Sequence, residues 1–266
     1  PMGFFATLAK GLTNGDEKYF LPPTLTNGAA TWELGNKKAE SAITWKDHTS
    51  QLETIAHWIP VHKMMVNRYN TLEGQISNAL MLGFNMVQDH KALFGSNSNG
   101  IIGATNFPGI NAWTYKEGAD NIVDNLADMA VRALLASGFA PNYVALSPNA
   151  IRAIAKAKDS EGRYLFPGFK AGDVVPGTNM TAIEDVNMSV TTTTGEGGAA
   201  VTATKETALV YNSGLITYKT ADPAQVTIGL TDDQFIRNAY TMLCEGTGLL
   251  RIDAPASIVY CDDLKL

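Results

Sequence analysis

Apolar positions along the chain fall into two different rhythms. Leu72, Ile76, Leu80, Phe84, Val87 and Phe94 recur near the 3.6-residue period of a helix. Asn70 can cap this segment, with Glu73 three residues on as a capping box, and Gly95 stops it. The segment predicts a helix of roughly 24 residues, about 36 Å long, which suits a structural spine. Ile122, Leu126, Met129, Ala133 and Leu134 predict a second helix over 120–137, closed by Gly138. Ser147-Pro148 pairs an N-cap with proline at the first helical position, and opens a third helix running to about Lys158. Asp159-Ser160-Glu161-Gly162 is a turn.

Elsewhere the rhythm is that of strands. Residues 51–62 are β-rich, with Pro60 pointing to an edge or a bulge. Tyr143–Leu146 reads as a buried strand, and from 208 to the end the chain reads as strands. Residues 19–50 predict a long polar hairpin. Asn27-Gly28 is one turn signal, and Gly35-Asn36-Lys37-Lys38 is a second, flanked by Ala30–Glu33 and Ala42–Trp45. So polar a hairpin has little to bury and should project from the body. Residues 189–207 are Thr/Gly-rich and predict a hairpin or a mobile loop, and 95–115 a Gly/Asn/Ser-rich loop. Residues 1–18 read as an arm with little core of its own. Helices and strands mix without βαβ regularity, so the class is α+β.

Composition narrows the function. The chain has 266 residues, 45% hydrophobic and 17% charged, enough apolar content for a core and too much for intrinsic disorder. The net charge of −6 argues against a tight nucleic-acid reader. Cys244 and Cys261 form no CxxC and read as reduced, buried thiols of a cytoplasmic product. No apolar run is long enough to span a membrane, and the start lacks the features of a signal peptide. Without a secretion signal, the sequons at Asn179 and Asn187 are chance matches.

Enzyme motifs fail on inspection. Gly95-x4-Gly100 is followed by Ile101-Ile102 where a phosphate-binding loop needs Lys and Ser/Thr. His48, His57, His62 and His90 form no metal-ligand pattern, and His57 and His62 at odd spacing in a strand face opposite ways. No GxSxG is present, and neither Cys shows a paired His. Met81 and Met86 read as packing on the long helix. No cofactor or metal is expected.

Five stretches, in order, resemble one family. They are Lys38-Ala39-Glu40-Ser41-Ala42-Ile43-Thr44, then Thr54-Ile55-Ala56-His57-Trp58, then Ser147-Pro148-Asn149 with Lys158 to Phe166. Phe235-Ile236-Arg237-Asn238 and Leu243-Cys244-Glu245 complete the series. Together they resemble the major capsid proteins of tailed bacteriophages, of the Hong Kong 97-type fold, over nearly all the chain after about residue 19. The resemblance implies an arm (1–18), an extended loop (19–50), a peripheral domain with the spine helix (51–115 and 222–266) and an axial domain (116–221). It implies a structural protein, not an enzyme, assembling as hexamers and pentamers into an icosahedral shell around double-stranded DNA without reading its sequence. The implied setting is a virion assembled in the bacterial cytoplasm, with a portal protein, a maturation protease and decoration proteins as partners and no membrane. The absent initiator Met fits a processed chain. Two departures stand out: a short arm before Tyr19 and an apparent insertion at Thr191–Gly198.

The family's prototype cross-links its subunits through a Lys–Asn isopeptide bond helped by a Glu. The resemblance places the lysine at Lys38, with Lys37 as an alternative donor, the acceptor amide at Asn238 and the helper carboxylate at Glu245. In a regular strand the seven-residue offset puts Asn238 and Glu245 on opposite faces, roughly 23 Å apart, so one chain cannot easily supply both to one site, in agreement with the different-subunit site that the resemblance implies. Competing readings are an encapsulin-type nanocompartment, which shares the fold, and a soluble enzyme of unrelated α+β fold.

Overall fold

The computed structural model describes residues 3–32, 34–64, 71–96, 99–116, 121–194, 201–231 and 233–266. Two sheets organise them. One is four-stranded, ordered β1 (Ala9–Leu12), β12 (Ile216–Gly229), β13 (Ala239–Ile252), β6 (Glu53–His62). Short β1 runs parallel to β12, and the longer strands pair antiparallel. Pro60 has no N–H to give a ladder and sits on β6, at the sheet edge, opposite Thr241.

The spine helix α2 (Leu72–Phe94) lies across this sheet. Leu80 and Phe84 meet Ile55, Val61, Tyr240, Met242 and Cys244 in a core of their own. The buried stripe does not follow the sequence pattern throughout. Gln88 is only 8% exposed, whereas Val87 faces out. The inward stripe steps by four residues, Leu80, Phe84, Gln88, Ala92, and Val87 falls beside it. Met81 packs against the core, but Met86 is exposed. Thr71 precedes the helix without a side-chain cap, and Asn70 lies outside the described residues. At the far end Gly103 N donates to Gly95 O at 2.8 Å. A Cβ on Gly103 would stand 2.4 Å from Leu93 O, so only glycine lets the chain turn back this tightly.

The second sheet is six-stranded. Its path is β7 (Asn111–Trp113), β14 (Val259–Leu264), β11 (Val201–Tyr211), β8 (Tyr143–Leu146), β9 (Thr181–Glu184), with β10 (Ser189–Thr194) also on β11. Where β8 pairs with Ala208–Tyr211 of β11 both faces are covered, which explains the apolar runs Tyr143–Leu146 and Ala208–Tyr211. Ala208 and Val210 face α3 (Ile122–Ser137) and α4 (Pro148–Lys156), with Leu126, Met129, Val144 and Ile154. Leu209 and Tyr211 face the other way, into a core that also holds Phe107, Tyr218, Leu250 and Ile252 from outside this sheet. That core joins the two sheets.

Both α3 and α4 begin as a cap dictates. Asn121 accepts from Asp124 N at 3.0 Å while Asp124 returns a bond to Asn121 N, and Ser147 accepts from Ala150 N at 3.1 Å. Gly138, at φ +77°, ends α3. α4 stops at Lys156, two residues before the expected end, where Ala157 turns to extended backbone. Leu134, read as a core position, is exposed.

Three expectations need correction. The first 18 residues do carry core: Phe4 is 0% exposed, with its ring edge-on to Tyr211 at 4.9 Å, and Leu8 is buried with it. Asn27-Gly28 does not turn the chain back. The pairing is Glu17–Phe20 (β2) with Asp47–Ser50 (β5), then Thr24–Thr26 (β3) with Ala42–Thr44 (β4). Ala30–Trp32 therefore has no strand pairing with Ala42–Trp45, and Gly28 instead lies against the Glu40 backbone. Ser189–Thr194 pairs antiparallel with Val201–Glu206, as the hairpin reading of this stretch expected, and the expected insertion at Thr191–Gly198 lies partly outside the described residues.

Candidate functional site

The extended loop is built in two halves with opposite properties. Its base is tied down. Glu17 on β2 accepts from Lys219 on β12 at 2.6 Å and lies 3.5 Å from Arg251 on β13. Burial pushes the Glu17 carboxyl up, but Lys219 outweighs it and holds the group below its ordinary range. The Tyr19 hydroxyl accepts from Ile252 N at 3.2 Å, and Ser50 Oγ donates to Leu250 O at 2.7 Å. His48 sits between the rings of Tyr19 and Phe107, and burial makes its imidazole harder to protonate.

The outer half makes only local contacts. β3 and β4 pair over three residues and bury none of them. Trp32 Nε1 donates to Asn36 O at 2.5 Å, and the Lys38 amine stands 5.7 Å from the Trp32 ring. Phe20, Leu25, Trp32, Leu34, Ile43 and Trp45 are all exposed, Leu34 to 91%. The hairpin is thus less polar than the sequence suggested, and its apolar groups are simply uncovered. Six large apolar side chains on one projecting hairpin mark a surface meant for another macromolecule. Other exposed apolar groups are Leu82 and Met86 on α2 and Val131 and Leu135 on α3. Each pair is four residues apart and shares one helix face.

The three residues of the expected cross-link lie on separate elements. Lys38 and Lys37 are exposed near the loop tip. Asn238 is exposed, one residue before β13, with φ +53° and its carbonyl accepting from Lys63 N at 2.8 Å. It therefore stands outside the strand alternation used to place it on a face. Glu245 is half-buried within β13, between Ala56 and Gln225. Tyr240, Met242 and Cys244 face α2, so Thr241, Leu243 and Glu245 share the other face. On that face Trp58, Thr231, Thr241 and Leu243 line an open hollow of about 340 Å³.

Other expected features fall into place as structure. His57 Nε2 is 2.8 Å from Leu80 O, tying β6 to the spine. Cys244 and Cys261 are free, buried thiols, and burial raises both. Among the described residues no group of three or more His, Cys, Asp or Glu could hold a metal, and no helix is long and apolar enough to cross a membrane. Part of the Gly95–Gly100 loop lies outside the described residues. Sequence reasoning missed the Glu17 anchor and an acid pair, Asp89 and Asp185, at the N-terminal turn. Their partners are remote in sequence, so no local signal could have found them.

Comparison with known proteins agrees with this architecture. The major capsid protein of Enterobacteria phage HK97 is 30% identical over 170 residues, 62% of this chain. The match spans 43% of the HK97 protein's own length. A solved structure from Mycobacterium phage Ogopogo superimposes with a TM-score of 0.72 at 15% identity, covering 98% of this chain and 92% of that one. The capsid of a native GTA particle, computed with C5 symmetry, superimposes at 0.71 with 12% identity, over 99% and 90%. The fold is the Hong Kong 97-type capsid fold. The sequence pattern of the phage capsid family matches residues 3–246, through arm, loop, spine and both sheets, and the chain belongs to that family.

Proposed function

We propose that this chain is the major capsid protein of a tailed bacteriophage, a structural subunit that closes with its copies into an icosahedral shell. The observation that carries the reading is the extended loop, anchored at its base by Glu17 and with Phe20, Leu25, Trp32, Leu34, Ile43 and Trp45 exposed. A copy of the chain lying under that loop would cover Trp32 and Leu34. Repetition around a closed shell turns many modest contacts into high avidity. In this reading the four-stranded sheet with α2 meets neighbouring capsomers, and the six-stranded sheet with α3 and α4 clusters at capsomer centres. The net charge of −6 suits a wall that confines DNA by geometry. A portal protein and a maturation protease would be its assembly partners.

The same reading includes a covalent lock. The neutral Lys38 amine attacks the Asn238 carboxamide carbon of another subunit. A new amide forms, the C–N bond to the old amide nitrogen breaks, and ammonia leaves after Glu245 relays the proton. The hollow lined by Trp58, Thr231, Thr241 and Leu243 opens on the same sheet face as Glu245, and a lysine covered there by a second subunit would be favoured in its neutral form. Electron microscopy of purified particles tests the shell, with closed shells expected and single subunits under all conditions contradicting it. A denaturing gel of mature particles tests the lock: ladders that vanish in Lys38→Ala are expected, and wild-type monomer alone would rule it out.

A further inference from the structure

Two acids at the N-terminal turn serve neither the shell contacts nor the lock. Asp89 projects from α2, and Asp185 follows β9, where it accepts from Asn187 N at 2.9 Å. The first turn of the chain, α1 (Phe4–Thr7), rests on both. Phe4 N donates to Asp185 Oδ2 at 2.8 Å, and Phe5 N donates to Asp89 Oδ1 at 2.8 Å. Asn187 Nδ2 donates to Asp89 Oδ2 at 2.9 Å. Two separate elements thus hold consecutive amides of a third. A Cβ on Gly3 would lie 3.0 Å from Asp89 Oδ2 and 3.1 Å from Asp185 Oδ2, so these two oxygens sit close together. Asp185 is only 2% exposed. Two full charges so placed repel each other in a poorly solvated spot, and a single proton shared between them removes the conflict.

The other ionisable groups here do not resolve it. The Lys10 amine is the cation that acts on Asp89, but it donates to Phe5 O at 2.6 Å and lies 3.0 Å from the Phe5 ring centroid. The Tyr211 hydroxyl is shared with Thr7 at 2.7 Å, and burial keeps it neutral.

We propose that Asp89 and Asp185 form a proton-operated latch for the N-terminal segment. One shared proton holds the first turn against the spine helix and the six-stranded sheet, and loss of that proton loosens it. In the docked state burial, then the Asp185 charge, raises Asp89 to about 7. Undocking opens the pair to water and returns Asp89 toward the ordinary carboxylate range. Docking is therefore fully favoured below that range and weakens as pH rises through about 7. Lys10, lowered by burial to about 8, carries the opposite linkage. It stays mostly charged below that value, so the window from about pH 5.5 to about pH 7.5 isolates the acid pair.

The test is hydrogen exchange of the full-length chain, following the Phe4–Thr7 amides across that window and correcting for the intrinsic rate. Protection should fall by roughly tenfold or more. Asp89→Asn, neutral and near-isosteric, should make the profile flat. Asp185→Asn should move the midpoint to lower pH. Wild-type protection constant within about twofold would overturn the latch, as would an Asp89→Asn profile that still follows the wild type.

Discussion

The body and the extended loop solve opposite problems with similar residues. In the body Leu126 on α3 and Leu209 and Ile252 on the sheets are fully covered by the chain itself. In the loop Trp32, Leu34 and Trp45 are just as apolar, yet among the described residues they meet only neighbours on the same hairpin and stay exposed. Full burial of such a side chain contributes about 1.5–3 kcal/mol. The body collects that stabilisation on folding, and the loop can collect it only on meeting another copy. Composition does not separate the two regions. What separates them is pairing: β12 runs along β13 from Ile216 opposite Ile252 to Gly229 opposite Thr241, whereas β3 and β4 meet over three residues.

That contrast can be broken or sharpened by substitution. The largest effect belongs to the core. Leu126→Ala should destabilise the isolated subunit by about 2–5 kcal/mol in urea unfolding, since it empties a fully buried site. Gly103→Ala should follow, at about 1–3 kcal/mol, because the new methyl meets the Leu93 carbonyl rather than a side chain that could move. Loss of a cap comes next. Asn121→Ala or Ser147→Ala should each cost about 1 kcal/mol by the same measurement. The smallest change in subunit stability belongs to the loop tip. Trp32→Ser with Leu34→Ser should stay within about 0.5 kcal/mol of the parent and yet abolish shell formation in sedimentation. A loop-tip variant that unfolds the subunit would erase the distinction between the two regions.

Sequence legibility follows the same division. α3 was readable because both of its ends carry local signals, a polar cap at the start and Gly138 at the close. Asp124, three residues after Asn121, completes the reciprocal cap by accepting from Asn121 N. β6 was readable as an edge because Pro60 cannot serve a central ladder. The arm was misread because Phe4 and Leu8 look isolated in sequence, and their partners, such as Tyr211, lie some 200 residues away. Asn27-Gly28 misled for a related reason. A tight-turn dipeptide specifies a hairpin only where flanking strands pair next to it, and here the paired segments are 24–26 and 42–44. The apolar pattern points to Val87, whereas the covered stripe steps by four from Leu80 and Phe84 to the polar Gln88, which a search for apolar positions passes over. The expected lock residues were readable only through family resemblance, and their meeting depends on how copies adjoin.

Electron cryomicroscopy of assembled particles tests the central claim most directly. The account predicts closed shells in which each extended loop lies over an adjacent subunit, with Trp32 and Leu34 covered by it. Shells whose loop tips stand free in water, or a chain that stays a single subunit under every condition, would contradict it.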